Sequence, residues 1–113
     1  MDLDALSTKL KKFTQDRDWD QYHSPKNLAI SLAVEAGELL EIFQWLPENS
    51  PFDKTVHKKA SEEIADILIY AIMFSRKMGI DIETAVLEKI AINEKKYPVD
   101  KARWISKKYD ELD

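Results

Sequence analysis

The chain has 113 residues, of which 44% are hydrophobic and 34% are charged, and its net charge is −4. This length fits one small domain that buries only about two thirds of its unfolded surface, which favours a core shared with other subunits. The acidic balance argues against binding nucleic acid through a basic surface. The absence of cysteine excludes disulfides and thiolate zinc sites. Two glycines are too few for a glycine-rich phosphate loop.

Apolar residues recur at helical spacing along nearly the whole chain, which predicts an all-α fold. The predicted helices cover about residues 4–17, 25–46, 53–78 and 82–96. The apolar side of the first helix is formed by Leu6, Leu10 and Phe13. A polar, aromatic link (18–23) precedes the cap signal Ser24-Pro25, and Gly79 is a natural stop for the third helix. The remaining residues, about 97–113, are expected to form a charged C-terminal tail that carries Trp104.

The sequence also predicts a cytoplasmic protein that does not enter a membrane. Its longest unbroken apolar run, residues 67–74, is far too short for a membrane span. The first four residues, Met-Asp-Leu-Asp, are acidic and do not resemble a signal peptide.

The second and third helices each carry a stripe, spaced by three and four residues, that is apolar except at its middle. The two stripes are Leu28, Leu32, Glu35, Leu39, Ile42 and Leu46, and Val56, Ala60, Glu63, Ile67, Tyr70 and Phe74. A second acid, Glu38 or Asp66, follows each central glutamate by three residues and is its neighbour on the helix surface. Glycine inside a helix costs about 1 kcal/mol relative to alanine, so Gly37, between the two glutamates, predicts a close backbone approach.

If the two stripes pack together, four carboxylates converge and need a positive partner, because an ionised carboxylate on a packed face is costly. Residues 28–46 and 60–75 contain no lysine, arginine or histidine. A divalent cation would neutralise the acids, and all-oxygen ligands suit Mg²⁺, with Mn²⁺ as a substitute. Two alternatives remain: the acids lie on solvated faces, or a lysine or arginine from the fourth helix or another subunit neutralises them. The candidate metal ligands are Glu35, Glu38, Glu63 and Asp66.

Residues 35–39 (EAGEL) and 63–66 (EIAD) resemble the paired ExxE and ExxD motifs of the all-α nucleoside triphosphate pyrophosphatases, the MazG-like superfamily. Further segments resemble its dCTP pyrophosphatase-like branch, and they are residues 17–28, 43–45, 66–70 and 89–99. The resemblance runs in order over about residues 10–100. It implies a single domain over residues 1–113, folded as a four-helix bundle that is completed by oligomerisation.

The resemblance implies an Mg²⁺-dependent enzyme that cuts a (deoxy)nucleoside triphosphate, dCTP-like or non-canonical, into the monophosphate and pyrophosphate. Such enzymes remove surplus or non-canonical nucleotides, and they assemble as dimers or tetramers with active sites between subunits. We therefore expect a homodimer or homotetramer that binds neither nucleic acid nor membrane. Two other functions remain open: a non-catalytic helical oligomerisation module that binds a cation structurally, and a pyrophosphohydrolase of the phosphoribosyl-ATP type.

By analogy with the family, Glu38 is the expected general base, and Glu35 is the other carboxylate given a catalytic role. The base of the substrate is expected to meet Trp19 and Trp45, with His23 and Asn27 nearby. Tyr70 is a further residue expected to bind the substrate. A tryptophan is more often part of a core, and His23 also fits an ordinary surface position. The triphosphate is expected to meet one face of the fourth helix and the residue after it, which present Lys89, Asn93, Lys96 and Tyr97. The alternative for this face is a solvated surface with salt bridges to Glu88 or Glu94.

Overall fold

The computed structural model describes residues 1–103, and this part of the chain is helical without strands. Its helices are α1 (Leu3–Asp16), α2 (Pro25–Phe43), α3 (Lys54–Met78), α4 (Ile82–Lys96) and α5 (Val99–Ala102), with a 3-10 turn at Asp20–Tyr22. The all-α prediction is confirmed, and a short fifth helix lies within the predicted tail. Trp104 lies outside the described residues.

The ends of the helices follow from local sequence chemistry. Each of the four longer helices begins at a side chain that accepts a hydrogen bond from a backbone N–H in the first turn, and these caps are Asp2, Ser24, Asp53 and Asp81. Gly79 ends α3 with a left-handed φ of 68°. The predicted end of the second helix at Leu46 is wrong, because α2 stops at Phe43. Pro47 disfavours helical geometry at the residue before it, and Leu46 instead closes a turn by donating to the carbonyl of Phe43.

The packing divides the described chain into two compact units. The first, Met1–Ile80, contains α1, α2 and α3, and in it both α1 and α2 pack against α3. The second begins at Asp81 and contains α4 and α5. Each member of the two predicted stripes is buried or half-buried, so the packed faces of α2 and α3 are the ones that the spacing indicated.

The apolar core of the described residues is small. Its buried hydrophobic side chains are Leu28, Ile72 and Met73. Large apolar side chains on the outer faces of α2 and α3 stay more than half exposed, among them Ile30, Val34, Leu40 and Ile64. A single copy of this chain therefore leaves much of its apolar surface in contact with water. In residues 1–103, we find no helix with the length and apolar character that crossing a membrane requires.

Candidate metal centre and adjoining cavity

Three of the four predicted ligands meet where α2 packs on α3. Glu35, Glu63 and Asp66 each offer a carboxylate oxygen, and these oxygens all lie within 4.8 Å of one another. Glu35 and Glu63 occupy the middle of the two packed stripes, so helix packing carries both into the interface and leaves them half-buried. The packing thus gathers an acidic cluster of the size that a single cation could occupy.

Two oxygens of this cluster lack a hydrogen-bond partner. Within residues 1–103, Oε2 of Glu35 and Oε2 of Glu63 are buried and accept no hydrogen bond. Burying a carboxylate oxygen without a partner is unfavourable, so this arrangement needs a proton or a cation. The described ion pairs of the first unit join Lys12 to Asp16 and Lys77 to Asp20, and neither of them reaches the cluster. An all-oxygen donor set with unsatisfied oxygens fits a hard divalent cation.

The electrostatics show that the carboxylates are close enough to affect one another. The pKa of Glu35 is raised, mainly because its carboxyl group lies against that of Glu63, whose proximity favours the protonated form. The pKa of Glu38 is raised as well, mainly by the adjacent carboxyl group of Glu35. Glu38 therefore lies beside the cluster, although it is not one of the three residues whose oxygens are mutually close.

A cavity of about 590 Å³ adjoins the cluster. Its walls are formed by α1, the link and α3, and Asp66 belongs both to its lining and to the acidic cluster. Three of the residues predicted to bind the substrate, Trp19, His23 and Tyr70, also line it. The Nδ1 atom of His23 is buried and, among the described residues, has no hydrogen-bond partner. The structure thus places aromatic side chains beside the proposed metal ligands.

The other predicted binding residues lie elsewhere. Trp45 follows the end of α2, does not line this cavity and is 85% exposed. Asn27 lies in the first turn of α2, where its side chain donates to the carbonyl of Tyr22 at 3.0 Å. The residues predicted to meet the triphosphate all belong to the second unit. Lys89, Asn93 and Lys96 lie three or four positions apart on α4, and Tyr97 is its C-cap.

The cavity is also lined by residues of α1, some of which the sequence predicted to pack in the core and others of which carried no prediction. They are Leu6, Lys9, Leu10, Phe13 and Thr14. The Phe13 ring contacts Trp19 edge to face at 5.7 Å, and the guanidinium of Arg17 lies 3.8 Å from the Phe13 ring centre. The apolar stripe of the first helix was the available signal, but periodicity does not distinguish a face that packs from a face that lines a cavity.

The close backbone approach predicted at Gly37 is not found among residues 1–103. A Cβ atom at this position would meet no heavy atom within 4 Å in the described structure. The reason is that Gly37 is exposed and lies off the stripe that faces α3.

Comparisons with known proteins show which family the chain resembles. Residues 30–112 match the model of a family described as the MazG-like family. The chain is 39% identical over 105 residues to a Homo sapiens protein named dCTP pyrophosphatase 1 and 38% identical to its Bos taurus counterpart. Both alignments cover 89% of this chain and 62% of the relative, so the chain spans less than two thirds of the length of these relatives.

A solved structure gives the same picture of the fold. The crystal structure of a pyrophosphatase from Archaeoglobus fulgidus superposes with a TM-score of 0.76 at 40% identity, covering 84% of this chain and 91% of that one. The family model matches most of the sequence and includes both acidic motifs. On these grounds, the chain belongs to the MazG-like family.

Proposed function

We propose that the chain is an Mg²⁺-dependent nucleoside triphosphate pyrophosphohydrolase. It converts a (deoxy)nucleoside triphosphate, dCTP or a non-canonical relative of it, into the monophosphate and pyrophosphate. The observation that carries this proposal is the double role of Asp66, which belongs to the acidic cluster and to the wall of the aromatic cavity. A metal-bound phosphate chain and a base lodged in the cavity would then be parts of one ligand. The names of the similar proteins support the same reaction class.

The acidic cluster would hold the metal. Glu35, Glu63 and Asp66 supply the mutually close oxygens, and Glu38 lies beside them as the fourth ligand. When bound, Mg²⁺ supplies charge neutralisation of the phosphate oxygens and lowers the pKa of coordinated water. Of the four acids, Glu38 is the candidate general base by analogy with the family. It lies beside the three mutually close carboxylates, and the adjacent carboxyl group of Glu35 raises its pKa.

The cavity would hold the base of the nucleotide. Trp19 is 46% exposed and lines the cavity, so part of this residue is open to a ligand. Stacking of a base on an aromatic side chain contributes about 1–3 kcal/mol and tolerates any base. Tyr70 and His23 add polar atoms to the same cavity, which otherwise is mostly apolar. The fourth-helix face with Lys89, Asn93 and Lys96 is proposed to bind the triphosphate, with Tyr97 beside it.

We also propose that the active protein is a cytoplasmic homodimer or homotetramer. The small core and the exposed apolar side chains of α2 and α3 support an assembly, since a single copy buries few hydrophobic residues. Neither Trp45 nor Asn27 lines the cavity within one chain, and such an assembly would offer the exposed Trp45 a place in the binding site of another subunit.

A substrate panel tests the function. Purified protein is incubated with canonical and modified deoxynucleoside triphosphates, with phosphoribosyl-ATP and without Mg²⁺, and pyrophosphate and the nucleotide products are identified. We expect Mg²⁺-dependent release of pyrophosphate and a monophosphate from a cytosine nucleotide. Folded protein that binds Mg²⁺ but releases no pyrophosphate would instead support a structural cation-binding module. Preference for phosphoribosyl-ATP would place the chain in the other enzyme branch.

A further inference from the structure

The link between α1 and α2 forms one wall of the cavity without being part of a long helix. It carries Trp19 and His23, so the position of its backbone decides where these two rings lie. At its start, the N–H of Trp19 donates to the carbonyl of Thr14 at 3.0 Å. At its end, the side chain of Asn27 donates to the carbonyl of Tyr22. The two ends of the link are thus tied to α1 and α2.

The middle of the link is tied to α3 by an ion pair. Nζ of Lys77, in the last turn of α3, lies 3.0 Å from Oδ1 of Asp20, and the Lys77 side chain is only 28% exposed. The backbone carbonyl of Asp20 also accepts from the N–H of His23 at 3.1 Å. Asp20 directly follows Trp19, so a single residue connects the end of α3 to both rings of the link.

Arg76, which precedes Lys77 in α3, contacts the wall of the cavity that α1 forms. Nη1 of Arg76 donates to the carbonyl of Ser7 in α1 at 3.0 Å. Two consecutive basic side chains at the end of α3 therefore contact the two chain segments that face α3 across the cavity. Their charges also suit the negative end of the helix dipole, which is the ordinary role of basic residues at this position.

We propose that the ion pair between Asp20 and Lys77 positions Trp19 and His23 against the α3 wall of the cavity. Asp20 and Lys77 are then positioning residues for the base of the nucleotide, and they act without touching the phosphates. This inference rests on the proposed function for its effect on substrate binding. Its effect on the order of the link does not depend on any activity.

The first experiment measures hydrogen–deuterium exchange in the free protein. Lys77→Gln and Asp20→Asn are compared with Lys12→Gln, which removes an exposed ion pair within α1. We expect faster exchange in residues 17–23 for Lys77→Gln and Asp20→Asn, and no change in exchange there for the control Lys12→Gln. The charge-swapped double variant, Asp20→Lys with Lys77→Asp, should restore slow exchange. Unchanged exchange in both single variants, or equal loosening by Lys77→Gln alone and by the swap, would overturn the proposal in favour of a helix-dipole role.

The second experiment measures steady-state kinetics of the same variants. We expect KM for the best nucleotide to rise by about twofold to fivefold, the range that a partly exposed ion pair supports, with kcat changed less than KM. A loosened link with an unchanged KM would overturn the positioning role. Absence of turnover in the unaltered protein would instead count against the proposed function, and the exchange result would stand by itself.

Discussion

Glu35 and Glu63 face each other across the packed helices α2 and α3, and each keeps one buried oxygen without a hydrogen-bond partner in the described structure. Packing places both glutamates in the middle of otherwise apolar stripes, so neither carboxyl group can turn fully into water. This pair makes the interface electrostatically incomplete, because like charges meet there and neither of the ion pairs described for the first unit in residues 1–103 involves these glutamates. The predictions below follow from that relationship and from the neighbouring cavity.

Removing one ligand should stop turnover while the fold persists. Glu63→Gln keeps the size of the side chain but removes the charge that a cation needs, and we expect kcat to fall by at least about 100-fold. The same result is expected for Glu38→Gln. Circular dichroism checks the fold, and Glu62→Gln, an exposed acid on α3, is the matched control. Near-normal turnover of Glu63→Gln at saturating Mg²⁺ would remove it from the metal ligands.

Metal should stabilise the folded protein even without substrate. A ligand that binds only the native state adds about 2.7 kcal/mol at a concentration 100 times its Kd, so Mg²⁺ should raise Tm and EDTA should lower it again. Thermal unfolding with increasing Mg²⁺ measures this shift. The shift should vanish in Glu35→Gln and survive in Glu62→Gln. An equal shift in both variants would show that the ion binds elsewhere.

Without metal, the negative charge of Glu35 should destabilise the folded protein. The pKa of Glu35 is raised in the folded state, because the carboxyl of Glu63 disfavours its ionised form. Such a group favours the folded state at low pH, and this contribution is lost as the pH rises through the folded pKa. Glu35→Gln in EDTA should therefore have a higher Tm than the unaltered protein at neutral pH, with a difference that shrinks on acidification. A variant that is less stable at neutral pH would contradict the coupling.

The aromatic cavity should determine KM. Trp19→Ala removes the stacking surface, and a loss of about 1–3 kcal/mol corresponds to a KM raised by about fivefold to more than a hundredfold. Steady-state kinetics measure this change, with kcat expected to vary less. Trp45→Ala gives a second result of interest, since Trp45 does not line the cavity within one chain. A raised KM in that variant would place Trp45 in a site completed by another subunit, whereas an unchanged KM would remove it from the binding residues.

Local chemistry was enough to predict most of the helices. Asp53 and Asp81 cap the helices that follow them, and Gly79 ends α3, because these features depend on residues within one turn. The sequence predicted the end of α2 three residues too late, because the apolar spacing continues to Leu46 whereas Pro47 disfavours helical geometry at that residue. The stripe spacing also predicted which faces of α2 and α3 pack. Because Glu35 and Glu63 occupy the middle of those stripes, the same spacing predicted that they lie on the packed faces.

The tertiary structure decided what the sequence left open. Spacing alone could not show that α1 lines a cavity with Phe13, or that Lys77 reaches back to Asp20, because both depend on contacts between distant parts of the chain. The sequence determined the helices, their packed faces and the acids within them, since the period of a helix fixes which side chains share a face. Only the packed structure decided which of these carboxylates share one site and which aromatic rings lie beside it, since those distances depend on how helices pack on one another.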